Sequence, residues 1–120
     1  MNNKVTGDYG EEKASRYLLQ HGYSIIERNF RTNSGEIDII AVKDGVVVFL
    51  EVKSLPNGVP ELLKTELNSR KLQRIVKTSK YFLLKHREYN NSCIRYDVIV
   101  IDMPGLPEVY HIENAFTELL

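Results

Sequence analysis

Apolar residues run without a break from Val46 to Leu50, and Ile37, Ile39, Ile40, Ala41 and Val42 crowd a second stretch just ahead of them. Between the two lies Lys43-Asp44-Gly45. Asp-Gly flanked by apolar runs is the strongest short-range sign of a β-hairpin, since both loop residues of its tight turn need φ > 0. With Asp44 and Gly45 as the loop, Lys43 faces Val46, Asp38 faces Glu51 and Glu36 faces Lys53. Opposed residues of an antiparallel pair stand about 4.5–5.5 Å apart at Cβ, so this register gathers three carboxylates and one ammonium into one patch. A strand apolar on both faces is covered on both sides. Ionised groups at its end are costly unless paired or metal-bound.

Either side of the hairpin the period changes. Ala14, Tyr17, Leu18 and His21 recur at helical spacing and Gly22 supplies a stop, which predicts a first helix over Thr6–Gln20. Glu11 shares the inward-leaning face of that helix, whereas Glu12 points to solvent. Glu11 suits either a capping-box-like start with Asp8 or a place in the acidic patch. Tyr23–Phe30 reads as a first strand, with Arg28 and Arg31 as exposed charges, and Arg31–Gly35 as a turn. Pro56-Asn-Gly-Val-Pro60 breaks the sheet and marks a surface loop. Leu72, Ile75, Val76, Ser79 and Phe82 predict an amphipathic helix over Asn68–His86. Cys93–Asp102 predicts a fourth strand, in which Asp97 pairs with Arg95 or with a base on a neighbouring strand. A short edge strand over Glu108–Ile112, with His111 structural, and a helical turn over Asn114–Leu119 close the chain.

Composition narrows the class. The 120 residues, 42% of them hydrophobic, suit one domain spanning residues 1–120, and no apolar run approaches a membrane span. The N-terminus lacks the apolar segment of an export signal and the lone Cys93 has no internal partner, so a cytoplasmic location is expected. Sixteen basic and 16 acidic side chains cancel, which argues against strong non-specific attraction to nucleic acid by net charge. Their distribution is uneven. Lys64, Arg70, Lys71, Arg74, Lys77, Lys80, Lys85 and Arg87 fall in one segment, from Lys64 to Arg87, against a single acid, Glu66. A solvated helix face is the plainer account of this stripe; Arg70, Lys71, Arg74 and Lys77 as phosphate contacts is the functional one. No repeat, Gly-rich phosphate loop, zinc spacing or Ser-His-Asp arrangement competes with the hairpin.

The element order is helix, three strands, helix, strand, then a short strand and helix: an α/β domain with a mixed sheet flanked by helices. Asp38 followed by Glu51-x-Lys53, after a helix carrying Glu11, resembles the PD-(D/E)XK nuclease superfamily. The closer resemblance is to the YraN-like family of uncharacterised bacterial proteins, considered relatives of archaeal Holliday junction resolvases. It covers nearly the whole chain: Gly7-x-x-Gly10-Glu11-x-x-Ala14, Arg28-Asn29-x-Arg31, Gly35-Glu36-Ile37-Asp38, Phe49-x-Glu51-Val52-Lys53, Lys71 and Arg95-Tyr96-Asp97. The family usually continues with an arginine and an aromatic-glycine pair, where this chain has Ser54-Leu55-Pro56-Asn57-Gly58.

The resemblance implies a restriction-endonuclease-like core and a metal-dependent deoxyribonuclease acting on DNA, branched or structured DNA included. Asp38, Glu51 and Glu11 would then hold Mg²⁺ or Mn²⁺, with Lys53 completing the catalytic set and Glu36 a weaker addition. The alternative is a catalytically silent module that binds nucleic acid or a partner on a nuclease-like fold. No membrane partner is expected, and a homodimer is compatible with either reading.

Overall fold

Five strands in the order β1-β2-β3-β4-β5 form one sheet in the computed structural model, which describes residues 3–56, 58 and 61–118. The elements are α1 (Asn3–Gln20), β1 (Ser24–Thr32), β2 (Gly35–Lys43), β3 (Val46–Ser54), α2 (Leu62–Glu66), α3 (Ser69–Lys85), β4 (Cys93–Ile101) and β5 (Val109–Phe116). β1, β2 and β3 form an antiparallel meander. β4 lies parallel to β3, with the α2–α3 segment as the crossover that parallel neighbours require, and β5 returns antiparallel.

The mixed sheet buries both faces. α1 covers one with Ala14 and Leu18, packed on Ile39, Ala41, Val48, Leu50, Ile99 and Ile101. α3 covers the other with Ile75, Val76 and Phe82, against Ile40, Val47, Phe49, Val98 and Val100. Phe82 meets Phe30 and Phe49 edge-on at 5.5 and 5.9 Å, an arrangement favoured by the ring quadrupoles. The hairpin turns at Asp44 (φ 50°) and Gly45 (φ 77°), and Lys43 pairs with Val46 as the sequence predicts.

α1 begins at Asn3, three residues before the predicted start, so Asp8 and Glu11 both lie inside the helix and form no capping box. β1 runs on to Thr32, which leaves only Asn33 and Ser34 for the turn into β2. The predicted Pro56–Pro60 loop falls largely outside the described residues, but the short helix α2 beyond it went unpredicted; Leu63 and Leu67 pack against the α3-side core. Where a helical turn was expected over Asn114–Leu119, the chain stays extended to Phe116, and Leu119 lies outside the described residues. Asn114 takes φ 54° and donates its backbone N–H to Asp97 Oδ1 at 2.9 Å, while Phe116 stacks on Tyr96 at 5.1 Å. These tertiary contacts outweigh the local helical tendency.

Candidate active site

The ladder between β2 and β3 holds from Lys43–Val46 to Ile39–Leu50 and stops there. Beyond it, Asp38 Oδ2 accepts the backbone N–H of Val52 at 2.8 Å, so a side chain takes the place of a strand carbonyl. The expected pairing of Glu36 with Lys53 does not form. Glu36 instead pairs with Arg31, across from it on β1, at 3.2 Å.

Alternation also breaks at this point. Ile37 belongs to the α3-side core whereas Ile39 and Ala41 belong to the α1-side core, and strict alternation would put all three on one face. β1 changes in step: Phe30 joins the α3 side, while Arg28 reaches Glu12 of α1 at 3.0 Å. Asn29 and Asp38 stand between the pairs Arg28–Ile39 and Phe30–Ile37, and Asn29 carries φ 55°. Asn is among the few side chains that tolerate this left-handed conformation.

Two close approaches seat the helices on this parted end of the sheet. A Cβ on Gly10 would stand 3.0 Å from Ser54 Cβ, so α1 lies directly against the end of β3 and brings Glu11 with it. A Cβ on Gly35 would stand 3.3 Å from Arg74 Cβ and from Thr78 Oγ1, which places the start of β2 against α3. Asn68 fixes the start of α3 by accepting the Lys71 N–H at 3.1 Å, a side-chain N-cap. Between these elements opens a cleft of about 480 Å³, lined by Gly35, Glu36, Asp38 and Glu51 from the sheet and by Asn68, Arg70, Lys71, Arg74 and Ile75.

The structure thus places Asp38 and Glu51 together, with Glu11 near enough to feel the charge of Asp38. Lys71 Nζ lies 3.3 Å from Glu51 Oε1, nearer than Lys53 Nζ at 3.9 Å. Lys53 also holds Glu66 of α2 at 3.2 Å. Lys71, expected on the phosphate stripe, is therefore the nearer cation at the carboxylates. Arg70 and Arg74 line the cleft, whereas Lys77 faces a separate one beside Lys80 and Glu118. Asn29 was missed as a candidate, although an asparagine inside an otherwise regular strand was a readable sign.

Burial pushes the Asp38 carboxyl up to about 7, helped by the Glu51 charge, against the opposing Val52 N–H. Burial likewise raises Glu11 to about 7, with Asp38 adding to it, while Arg28 and an Asn29 hydrogen bond act the other way. Glu11 Oε1 is buried without a hydrogen-bond partner among the described residues. Burial disfavours the Lys53 ammonium, but its hydrogen bonds and the charges of Glu51 and Glu66 hold its pKa above the ordinary value. Among the described residues no three carboxylates, imidazoles or thiols converge as a ready-made metal cage. Two adjacent carboxylates at an open cleft fit a Mg²⁺ site, in which waters and phosphate oxygens supply the remaining positions.

Asp97 serves a different purpose. Fully buried, it accepts two hydrogen bonds from Arg95 at 2.9 and 2.8 Å and one from His111 Nε2 at 2.7 Å, besides the Asn114 N–H. His111 Nδ1 in turn meets the Tyr17 hydroxyl at 3.2 Å. This network ties β4 to β5 and α1, in keeping with the structural role expected of Asp97 and His111.

A family model described as "Uncharacterised protein family UPF0102" matches residues 10–101. Similar proteins, each described as a UPF0102 protein, include one from Treponema pallidum (strain Nichols), 43% identical over 122 residues that cover 98% of this chain and 97% of the relative. Another, from Persephonella marina, is 41% identical with 93% of both chains covered, and one from Geobacter metallireducens is 41% identical over 97% of this chain and 95% of its own.

Proposed function

This chain belongs to the uncharacterised protein family UPF0102, and we propose that it is a metal-dependent endonuclease hydrolysing phosphodiester bonds of DNA, with branched or otherwise structured DNA the substrate class to test first. The observation that carries this reading is that Asp38 and Glu51 line one cleft where β2 and β3 part, opposite a cationic wall of Arg70, Lys71 and Arg74. Carboxylates and cations on facing sides of one cleft suit a phosphodiester, which needs positive charge at its oxygens and a hard-ion site at the scissile group.

Asp38 and Glu51 would hold the divalent ion, which when bound supplies Lewis-acid stabilisation of the phosphate and a more acidic water. Arg70 and Arg74 hold flanking phosphate oxygens. Lys53, partly buried beside Glu51, offsets charge developing on the reacting phosphate. Glu11 orients the attacking water from the α1 side.

The test is incubation of the purified protein with labelled linear, flapped and four-way DNA in Mg²⁺, Mn²⁺ or EDTA. Products are expected with metal only, and to be lost in Glu51→Ala and Asp38→Ala. Retained DNA binding without cleavage in either metal would overturn the enzyme reading in favour of a catalytically silent binding module.

A further inference from the structure

Resting on that reading of the Asp38–Glu51 site, we propose that Lys71 is a built-in counter-ion which a divalent cation displaces, so that loading the metal hands the Lys71 ammonium to the phosphate side of the cleft.

Two ion pairs clamp the crossover onto the end of β3. Glu51 is held by Lys71 of α3 at 3.3 Å and Lys53 by Glu66 of α2 at 3.2 Å. The Glu51 side chain is 7% exposed and that of Lys71 34%, so the carboxylate is fixed in the wall while the lysine reaches in from the rim. Lys71 sits in the first turn of a 17-residue helix that has no acidic residue there, at the end where the backbone dipole disfavours cations. Its ammonium is stabilised by Glu51 and opposed by its own helix and by Arg70 and Arg74, which line the same cleft.

A doubly charged cation at Asp38 and Glu51 reverses that balance. Glu51 then has a stronger partner, and Lys71 is repelled by it. The four-carbon stem lets the ammonium swing toward the rim without moving α3, whose start the Asn68 cap secures. There it joins Arg70 and Arg74 as a third phosphate contact. Metal and polyanion therefore reinforce each other, and by linkage the reinforcement is mutual.

The experiment is calorimetric titration of Mn²⁺ into the full chain without DNA, for wild type, Lys71→Met, Lys71→Gln, Arg70→Gln and Asp38→Asn. Both Lys71 variants should bind Mn²⁺ at least about five-fold tighter than wild type, the lower end of typical coupling between sites. Arg70→Gln removes the same charge from the same cleft without breaking the pair, and should change affinity much less. Equal or weaker binding by the Lys71 variants overturns displacement while leaving the metal site standing, as does an equal gain in Arg70→Gln. Binding that persists unchanged in Asp38→Asn places the ion elsewhere and overturns the displacement too. If no protein in the set binds Mn²⁺, the inference and the metal-dependent reading fall together.

Discussion

Asp38 and Asp97 are the same residue type on interior strands of one sheet, and their surroundings drive them in opposite directions. Asp97 is 0% exposed, yet Arg95, His111 and a backbone N–H hold its pKa below the ordinary carboxylate value despite burial. Asp38 has one backbone N–H and a second carboxylate for company, and its pKa rises to about 7. Removing the charge should therefore act oppositely at the two sites. Asp97→Asn takes from Arg95 its buried carboxylate, leaving it only the Tyr23 hydroxyl and the outlying Glu113 among the described residues, and should cost about 3–5 kcal/mol in denaturant unfolding. Asp38→Asn preserves shape and relieves repulsion, so in EDTA at neutral pH its Tm should equal or exceed that of wild type. The signs extend to pH. Folded Asp38 and Glu11 keep protons up to about 7 that the unfolded chain releases near pH 4, so stability falls as pH rises through that window. Asp97 contributes stability above about pH 4 that is lost as pH falls further. Melting in EDTA should accordingly be highest at about pH 4, with the decline towards neutrality shallower in Asp38→Asn.

At the scale of elements, local chemistry and tertiary override can be told apart. The hairpin and its Lys43–Val46 register were legible because Asp44-Gly45 dictates its own turn, and α3 because Leu72, Ile75, Val76 and Phe82 recur at helical spacing. Asp38 and Glu51 were consequently placed together from sequence. Their exact setting was not, because periodicity assumes unbroken alternation and Asn29 and Asp38 break it on both strands at once. β5 was half read for a similar reason: a left-handed Asn114 and the stacked Phe116 hold the chain on β4 through interactions that no local pattern announces. The kink is itself testable. Asn29→Val forces a β-branched residue to φ 55° and should cost about 1–2 kcal/mol of stability. Asn29→Gly keeps the backbone but removes the amide beside Glu11, so it should fold normally and show its effect in the Glu11 pKa, followed by carboxylate NMR.

Taken whole, the molecule balances 16 basic against 16 acidic side chains while one wall of its cleft is cationic, so local field and net charge part company. Salt dependence resolves the two. Replacing Arg70 and Arg74 should reduce the salt slope of DNA binding by roughly 0.9 for each phosphate no longer neutralised, whereas Lys77→Ala, facing a separate cleft, should leave it unchanged. No helix among the described residues is long and apolar enough to cross a membrane. The sheet has two outer strands, and each is crooked: β1 shifts register between Ile25 and Glu27 and turns left-handed at Asn29, and the β4–β5 ladder shifts between Tyr96 and Val98 with Asn114 left-handed. A straight strand from another molecule would find no continuous row of hydrogen-bonding groups along either border. The same bend that aims Asp38 into the cleft thus also guards the flank of the sheet against templated stacking, so a variant that straightened β1 would threaten solubility as well as chemistry.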